Sequence, residues 1–304
     1  MPTHRFAPQH FFNTIGPHAP VLRIADGDSV IAATIDAHGY DAVEAQPGQS
    51  PNPMTGPFFV EGAEPGDALA VTIDTIAMTR RQGWTYQGLA RNVVDPDAAA
   101  SLPPRDKILW DIDRNAQRAS LRAALPALGS WSVQLEPMIG CLGVAPDSGQ
   151  FISTATSGPF GGNMDYRGIR AGTTIRFPVS YAGALFFLGD VHAAQGDGEI
   201  AGTGIETSAE VTFTVRVLKG KRQGWPRGED AEAIFTIGNA RPLDQALQHA
   251  TTEMLHWLAE DYGLDHTAAG HVMAMSVRYD VANVFNPAYS VACRIPKSAL
   301  PNNT

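Results

Sequence analysis

Glycine and proline interrupt this chain along its whole length. The 304 residues include 30 glycines and 22 prolines, and these are spread out rather than clustered. Between them lie short apolar runs that alternate with polar residues, for example residues 108–112 and 208–217. Alternation with a period of two is typical of half-buried strands, and scattered Gly and Pro are typical of turns. The pattern therefore predicts many short strands joined by tight turns.

Two pairs of apolar runs have the appearance of β-hairpins. Residues 21–24 and 29–35 flank the turn 26–28, and residues 58–61 and 69–73 flank the turn 64–67. Short glycine-containing loops between two strand-like runs are a hairpin signal. We therefore predict that the two strands of each pair lie side by side in a sheet.

A helical period occurs only near the C-terminus. Apolar residues recur there at spacings of three and four, which indicates an amphipathic helix, at Leu243, Leu247, Ala250, Met254, Leu255 and Leu258. Pro242 suits its start and Gly263 its end. A shorter helix is predicted at 267–277 and a last strand at 290–296.

These elements predict a β-dominated α+β fold, a multi-stranded β-sandwich or barrel with a C-terminal helical segment. The missing βα alternation argues against a Rossmann domain or a TIM barrel. We expect one unit over residues 1–304, in which a β-rich N-terminal part (1–135) is closely joined to a catalytic part (136–304). Trp110 and Trp257 are expected in the core, and Trp84 in a loop that covers a pocket.

Composition excludes several classes of partner. The chain has 31 acidic and 22 Lys or Arg residues, whereas phosphate binding needs concentrated positive charge. No apolar run approaches the ~18 residues of a membrane span, and two cysteines do not make a disulfide framework. We therefore expect a cytoplasmic protein that binds neither nucleic acid nor a membrane.

Chemistry-bearing residues concentrate in one glycine-rich region. Within about forty residues there are five carboxylates and one histidine, at Asp165, Asp190, His192, Asp197, Glu199 and Glu206. Asp190 and His192 stand at i and i+2, so at a strand end both side chains point to one face and can share a metal ion. Histidine with carboxylates suits Zn²⁺ or a related ion, and oxygen ligands alone suit Ca²⁺. Each residue alone also fits an ordinary turn, so only their combination favours a functional site.

Rival catalytic patterns are weaker. The chain has no G-x-S-x-G and no H-E-x-x-H motif. Cys141 lies in the apolar run 138–143, which predicts an unreactive core thiol.

Four segments, in order, resemble the acetamidase/formamidase family. They are residues 56–67 (GPFFVEGAEPGD), 137–146 (PMIGCLGVAP), 158–165 (GPFGGNMD) and 189–199 (GDVHAAQGDGE). The resemblance implies a β-rich fold, hydrolysis of a short amide to carboxylate and ammonia, a divalent metal (zinc first, calcium as the alternative) and a homo-oligomer, dimeric or larger. It also implies metal ligands, by position, at Asp36, Asp165, Asp190 and His192.

The mechanism that we expect uses a metal-activated water. Glu61 or Glu206 transfers the proton, or serves as a further ligand, and the backbone N–H groups of Gly161 and Gly162 stabilise the oxyanion. Two alternatives stay open, namely a lactam or cyclic-amide hydrolase on the same scaffold and a non-catalytic metal- or small-molecule-binding protein. The sequence leaves open the roles of His38, His266 and His271.

Overall fold

Strands dominate the protein. The structure, a computed structural model, describes residues 2–301. The strands are β1 (Thr3–Phe6), β2 (Thr14–Ile15), β3 (Leu22–Ile24), β4 (Ser29–Ala33), β5 (Thr55–Val60), β6 (Ala68–Met78), β7 (Gln82–Tyr86), β8 (Lys107–Asp113), β9 (Arg118–Leu121), β10 (Ser132–Gln134), β11 (Met138–Gly143), β12 (Ile152–Ser153), β13 (Ser157–Gly158), β14 (Gly161–Asn163), β15 (Thr174–Pro178), β16 (Phe186–His192), β17 (Glu206–Thr207), β18 (Ala209–Leu218), β19 (Arg227–Glu229), β20 (Ala233–Ala240), β21 (Arg278–Asn283) and β22 (Tyr289–Pro296). The α-helices are α1 (Pro96–Ala99), α2 (Leu243–Tyr262) and α3 (His266–Ser276), and short 3₁₀ turns lie at Arg91–Val93, Pro126–Leu128, Asp147–Gly149, Asp197–Glu199 and Lys297–Ala299.

The strands form two large sheets. One sheet has nine strands in the order β1-β4-β18-β6-β15-β19-β20-β22-β21. The other has eleven, in the order β10-β9-β8-β7-β17-β16-β11-β14-β13, with β5 paired to β16 and β3 paired to β5. A small third sheet pairs β12 with β2. The predicted β-dominated fold with C-terminal helices is confirmed, and strands from before and after residue 135 are interleaved in both large sheets.

The two large sheets pack face to face around one apolar core. Phe213 of the nine-stranded sheet lies 5.3 Å from Phe58 and 5.2 Å from Phe186 of the other sheet, measured between ring centroids. Along β18 buried and half-buried residues alternate, as the sequence predicts for a strand with one covered face. The layers therefore form a β-sandwich.

Both predicted hairpins are wrong, because the chain changes sheet at each turn. Strand β3 pairs with β5, whereas β4 pairs with β1 and β18. In the same way β5 pairs with β16, whereas β6 pairs with β15 and β18. The turns themselves are well made, since Asp28 accepts the N–H of Ala25 and Asp67 accepts the N–H of Glu64. A tight turn determines where the chain reverses direction. It does not determine which strand the following strand pairs with.

Helices α2 and α3 cover the outer face of the nine-stranded sheet. Ile234, Cys293 and Ile295 of β20 and β22 pack there against helix residues that include Met254 and Trp257. Helix α2 follows Pro242 and ends before Gly263, which has a φ of +65°, so both predicted boundaries are confirmed. Trp110 and Trp257 are buried, as expected. Within residues 2–301, no helix has the length and apolar character needed to cross a bilayer.

A buried ion pair fastens α2 to the sheet. Arg227 of β19 donates from Nε to Glu253 of α2 over 2.6 Å, and both side chains are buried. The other oxygen of Glu253 accepts the backbone N–H groups of Gly224 and Trp225. On the surface side, Arg227 Nη1 donates to the half-exposed Glu260 over 2.7 Å.

We predict that Glu253→Ala lowers the free energy of unfolding by about 3–5 kcal/mol, because it removes the buried partner of a charge and of two backbone donors. The matched control is Glu260→Ala, which removes an exposed partner of the same arginine and should cost about 1 kcal/mol or less. Urea unfolding of both variants measures the difference. Equal losses for the two variants would contradict this account of α2.

Candidate metal and active site

Five ionisable side chains meet at one end of β16. Asp190 and His192 belong to β16 itself, and His192 is the ladder partner of Glu206 in β17. Asp165 follows β14, and Glu199 closes the 3₁₀ turn Asp197–Glu199. All five are buried. The structure therefore brings together Asp165, Asp190, His192 and Glu206 of the predicted site and adds Glu199.

The facing atoms of this cluster have the spacing of a metal site. One ligand atom each from Asp165, Asp190 and His192 lie within 4.8 Å of one another, and so do those of His192, Glu199 and Glu206. Within residues 2–301, four buried atoms here have no hydrogen-bond partner: Asp165 Oδ1, Asp190 Oδ1, His192 Nε2 and Glu206 Oε2. His192 Nε2 is 3.0 Å from Glu206 Oε1, but without the angle that a hydrogen bond needs. Buried polar atoms are rarely left unpaired.

The outward oxygens of the carboxylates are held by asparagine amides. Asn52 donates to Asp190 Oδ2 over 3.0 Å. Asn283 and Asn286 donate to Asp165 Oδ2 over 2.9 and 2.7 Å. For both aspartates, one oxygen is thereby fixed and the other is turned towards the cluster. This is the arrangement in which neighbouring groups orient the ligands of a metal ion.

The tautomer of His192 follows from its neighbour Gln195. The side-chain N–H₂ of Gln195 donates to the carbonyl oxygen of Asp165 over 2.7 Å, so its oxygen is the atom 2.7 Å from His192 Nδ1. Nδ1 must carry a hydrogen to donate to that oxygen, so Nε2 is the atom that faces the carboxylates and can bind a cation when it gives up its proton. A Cβ on Gly204 would lie 2.5 Å from the imidazole, so the ring position requires glycine there.

Three of the carboxylates lie on strained backbone. The φ angles of Asp165, Asp190 and Glu199 are +46°, +59° and +45°, a region that residues other than glycine adopt only at a cost. Such conformations persist where the surrounding structure over-determines them, and they concentrate at functional sites. The strain supports a functional origin for the cluster.

The electrostatics of the cluster favour the binding of a positive charge, either a proton or a cation. Burial, and then the charge of Asp190, raises the pKa of Asp165 to about 7. Burial likewise raises the pKa of Glu206 to about 8, although His192 opposes the shift. Burial would lower the pKa of His192, but Glu206 and Asp190 outweigh it and hold that pKa well above its ordinary value. Carboxylate oxygens and an imidazole nitrogen fit a divalent cation such as zinc or calcium.

A small cavity of about 190 Å³ opens onto the cluster. Asp190, Glu199 and Glu206 line its floor, and part of its wall is aromatic. There the His38 imidazole lies 4.0 Å from the Trp84 ring and pairs through Nε2 with the Tyr86 hydroxyl over 3.0 Å. Burial lowers the pKa of His38, with the charge of Lys107 acting in the same direction.

Asp36 is adjacent to the site but does not face the cluster. Its Oδ2 accepts hydrogen bonds from Arg80 at 2.6 Å and from the Trp84 indole at 2.9 Å. Its Oδ1 accepts the backbone N–H groups of His38 and Tyr40. Both oxygens of Asp36 are thus engaged by other donors, and the structure does not bring this carboxylate together with the cluster. Trp84 lies in strand β7 and not in the expected loop, although it does line the cavity.

Two other predicted catalytic positions lie apart from the cavity. The Glu61 side chain is half exposed and forms an ion pair with Arg23 over 2.7 Å. Gly161 and Gly162 belong to β14, between β11 and β13, and do not line the cavity. The structure thus does not support Glu61 as a proton carrier or these glycines as oxyanion donors. The exposed Asp197 pairs with Arg167, 2.7 Å away.

Several site residues escaped prediction. The amides of Asn52, Asn283 and Asn286 come from distant segments and carry no motif of their own. The region 264–286 does reach the site, through Asn283, Phe285 and Asn286, whereas His266 and His271 lie on α3 and do not line the cavity. Cys141 is buried and its pKa is raised by burial, as expected for a core thiol.

Comparison with known proteins identifies the relationship. The model of the acetamidase/formamidase family matches residues 19–157 and 151–252. This chain belongs to the acetamidase/formamidase family. A crystal structure of an acetamidase from Yersinia enterocolitica is 31% identical and superposes with a TM-score of 0.87, covering 99% of this chain and 93% of that one.

Curated relatives match over a shorter region. An acetamidase of Mycolicibacterium smegmatis is 27% identical over 242 residues, 62% of this chain and 59% of that protein. A formamidase of Methylophilus methylotrophus is 23% identical over 269 residues, 74% of this chain and 63% of that protein. The chain thus spans less than two thirds of the length of these relatives.

We predict that the protein binds Zn²⁺ and that Asp190→Asn weakens the binding at least about tenfold, because one facing oxygen becomes an amide. Zn²⁺ should raise the melting temperature of the wild type and not that of the variant. Isothermal titration and thermal-shift assays measure both effects. Asp197→Asn removes a nearby exposed carboxylate and serves as the control. Unchanged Zn²⁺ affinity in Asp190→Asn would exclude the ligand role.

Proposed function

We propose that this protein hydrolyses a short, linear carboxamide to the carboxylate and ammonia. One observation carries the proposal: four buried atoms of the cluster that could bind a metal ion have no hydrogen-bond partner within residues 2–301, and they converge beside a small cavity. Two of the relatives bear the names acetamidase and formamidase, which fits a small substrate. A cavity of about 190 Å³ has the volume of roughly six water molecules.

Asp165, Asp190 and His192 are the proposed ligands of a divalent cation, with zinc first and calcium as the alternative. When bound, the cation supplies the Lewis acidity that polarises an amide carbonyl and acidifies water. The protein's part is to hold these three side chains at fixed positions. Asn52 and Asn286 fix the two aspartates, and Gln195 fixes the imidazole.

Glu206 is the proposed proton carrier. It lines the cavity, and its Oε2 has no hydrogen-bond partner within residues 2–301. In this role it takes a proton from the attacking water and gives it to the leaving nitrogen, so that ammonia rather than an amide anion departs. Glu199 also lines the cavity, but Asn283 donates to its Oε2 over 2.5 Å, so that oxygen is already engaged, unlike Oε2 of Glu206.

The cavity wall is proposed to orient the amide. His38 and Tyr86 form one hydrogen-bonded pair that offers a polar group to the cavity beside Trp84. Asp36 fixes this wall, because it binds both the indole of Trp84 and the backbone N–H of His38. Correct placement of a reacting group contributes strongly to rate. The homo-oligomer and the cytoplasmic location stay predictions.

We predict that the Zn²⁺-loaded protein releases ammonia from acetamide or formamide. Glu206→Gln should lower kcat by at least about a hundredfold while it preserves the shape of the site. Glu61→Gln, at the surface ion pair with Arg23, should keep wild-type activity. An ammonia assay over formamide, acetamide, propionamide and a small lactam provides the measurement.

The same assay separates the alternatives. Turnover of the lactam alone would assign the cyclic-amide activity. Cation-dependent stability with no ammonia from any amide would assign a non-catalytic binding protein and contradict the proposal. Full activity of Glu206→Gln would remove its role as proton carrier.

A further inference from the structure

Arg105 carries a positive charge that the protein leaves without a partner. Within residues 2–301, its Nη1 and Nη2 are buried and have no hydrogen-bond acceptor. Its guanidinium carbon lies 4.8 Å from the centroid of the Tyr86 ring and 5.0 Å from that of Phe285. Both rings line the cavity above the cluster. The guanidinium therefore packs against two of the rings that line the cavity.

The environment of the Arg105 guanidinium differs from that of the buried arginines Arg80 and Arg227. Arg80 donates to Asp36 and Arg227 donates to Glu253, so each has a buried carboxylate partner. Contacts with aromatic faces stabilise a guanidinium by only about 0.5–2 kcal/mol. They use none of its five N–H donors, which match the two oxygens of a carboxylate. The missing partner of Arg105 is thus an anion.

The segment that carries Arg105 is fixed over the site. Residues 87–106 connect β7 to β8, and the N–H of Ala90 donates to the carbonyl of Ile200, next to Glu199. The Asn92 amide donates to the carbonyl of Val284, next to Phe285. These bonds hold the connection against the two segments that border the cavity. Phe285 is 37% exposed, so this residue is not locked inside the core.

A second positive charge lies against another aromatic residue of the cavity, Trp84. Lys107, two residues after Arg105, places its Nζ 4.3 Å from the centroid of the Trp84 ring. The floor of the cavity is acidic, with Asp190, Glu199 and Glu206. The cavity therefore has carboxylates and a proposed cation on its acidic side, and two positive side chains packed against its aromatic residues. A ligand with an anionic end fits with that end towards Arg105.

We propose that Arg105 binds the carboxylate of a substrate that is the monoamide of a short dicarboxylic acid, an inference that rests on the proposed amide hydrolysis. The amide end lies at the cluster and the carboxylate end lies at Arg105. In the reaction the oxygen of water bonds to the acyl carbon, the C–N bond breaks, and the nitrogen leaves with the proton. The products are a dicarboxylate and ammonium.

The test compares anionic amides with neutral amides of the same shape. Malonamate is paired with 3-methylbutanamide, and succinamate with 4-methylpentanamide, in which an isopropyl group replaces the carboxylate. We expect a higher kcat/KM for at least one anionic member than for its neutral partner. In Arg105→Gln the ratio of the two kcat/KM values should fall at least about tenfold, because a charged bidentate contact is lost. Arg105→Lys keeps the charge without the planar fork and should give an intermediate ratio.

Arg91→Gln is the matched control, since it removes the same charge from an exposed position in the same connection. Its ratio should stay at the wild-type value. A wild-type preference for both neutral partners, or an unchanged ratio in Arg105→Gln, would overturn the proposal.

A binding measurement keeps this inference separate from the proposed function. Malonate and succinate should raise the melting temperature of the wild type, and this shift should be lost in Arg105→Gln. If no amide is hydrolysed but this shift is present, the hydrolase function fails and Arg105 stands as an anion site. If acetamide is hydrolysed and neither dicarboxylate causes an Arg105-dependent shift, the substrate inference fails alone.

Discussion

The arrangement of side chains at this end of the sandwich depends on how the repulsion between its buried carboxylates is compensated. Asp165, Asp190, Glu199 and Glu206 lie together and are almost completely buried, and like charges interact strongly in such surroundings. Within residues 2–301, only His192 lies among them as a group that can carry a positive charge. The remaining compensation comes from neutral amide donors and from the cation that we propose. Each of these contributions lowers the cost of burying the carboxylates together.

Much of the fold and the centre of the site could be predicted because their signals are local. Alternating apolar residues identify strands such as β18, and a period near four identifies α2, whatever these elements later pack against. Asp190 and His192 are neighbours on one strand, and Glu206 lies across the ladder after a short glycine-rich connection. Chain proximity thus brought the central residues into one prediction.

The wrong predictions concern features that depend on contacts between segments far apart in the chain. The chain passes between sheets after Asp28 and Asp67, although the turns there resemble those of hairpins. Asp36 has the sequence context of a ligand, but Arg80 and Trp84 occupy its oxygens. These pairings join residues more than forty positions apart, so no local pattern contains them. The amide donors of the site went unrecognised for the same reason.

The amide shell has a consequence for the protein's own durability. Asn52, Asn283 and Asn286 carry the same functional group that the proposed reaction destroys. Hydrolysis of any one of them would leave an aspartate, an almost identical shape with one more negative charge against Asp165 or Asp190. Their nitrogens are bound to the carboxylates of Asp165 and Asp190, and Asn52 and Asn286 also line the cavity. The contacts that arrange the site therefore also fix the orientation of amide groups that lie beside the proposed reaction.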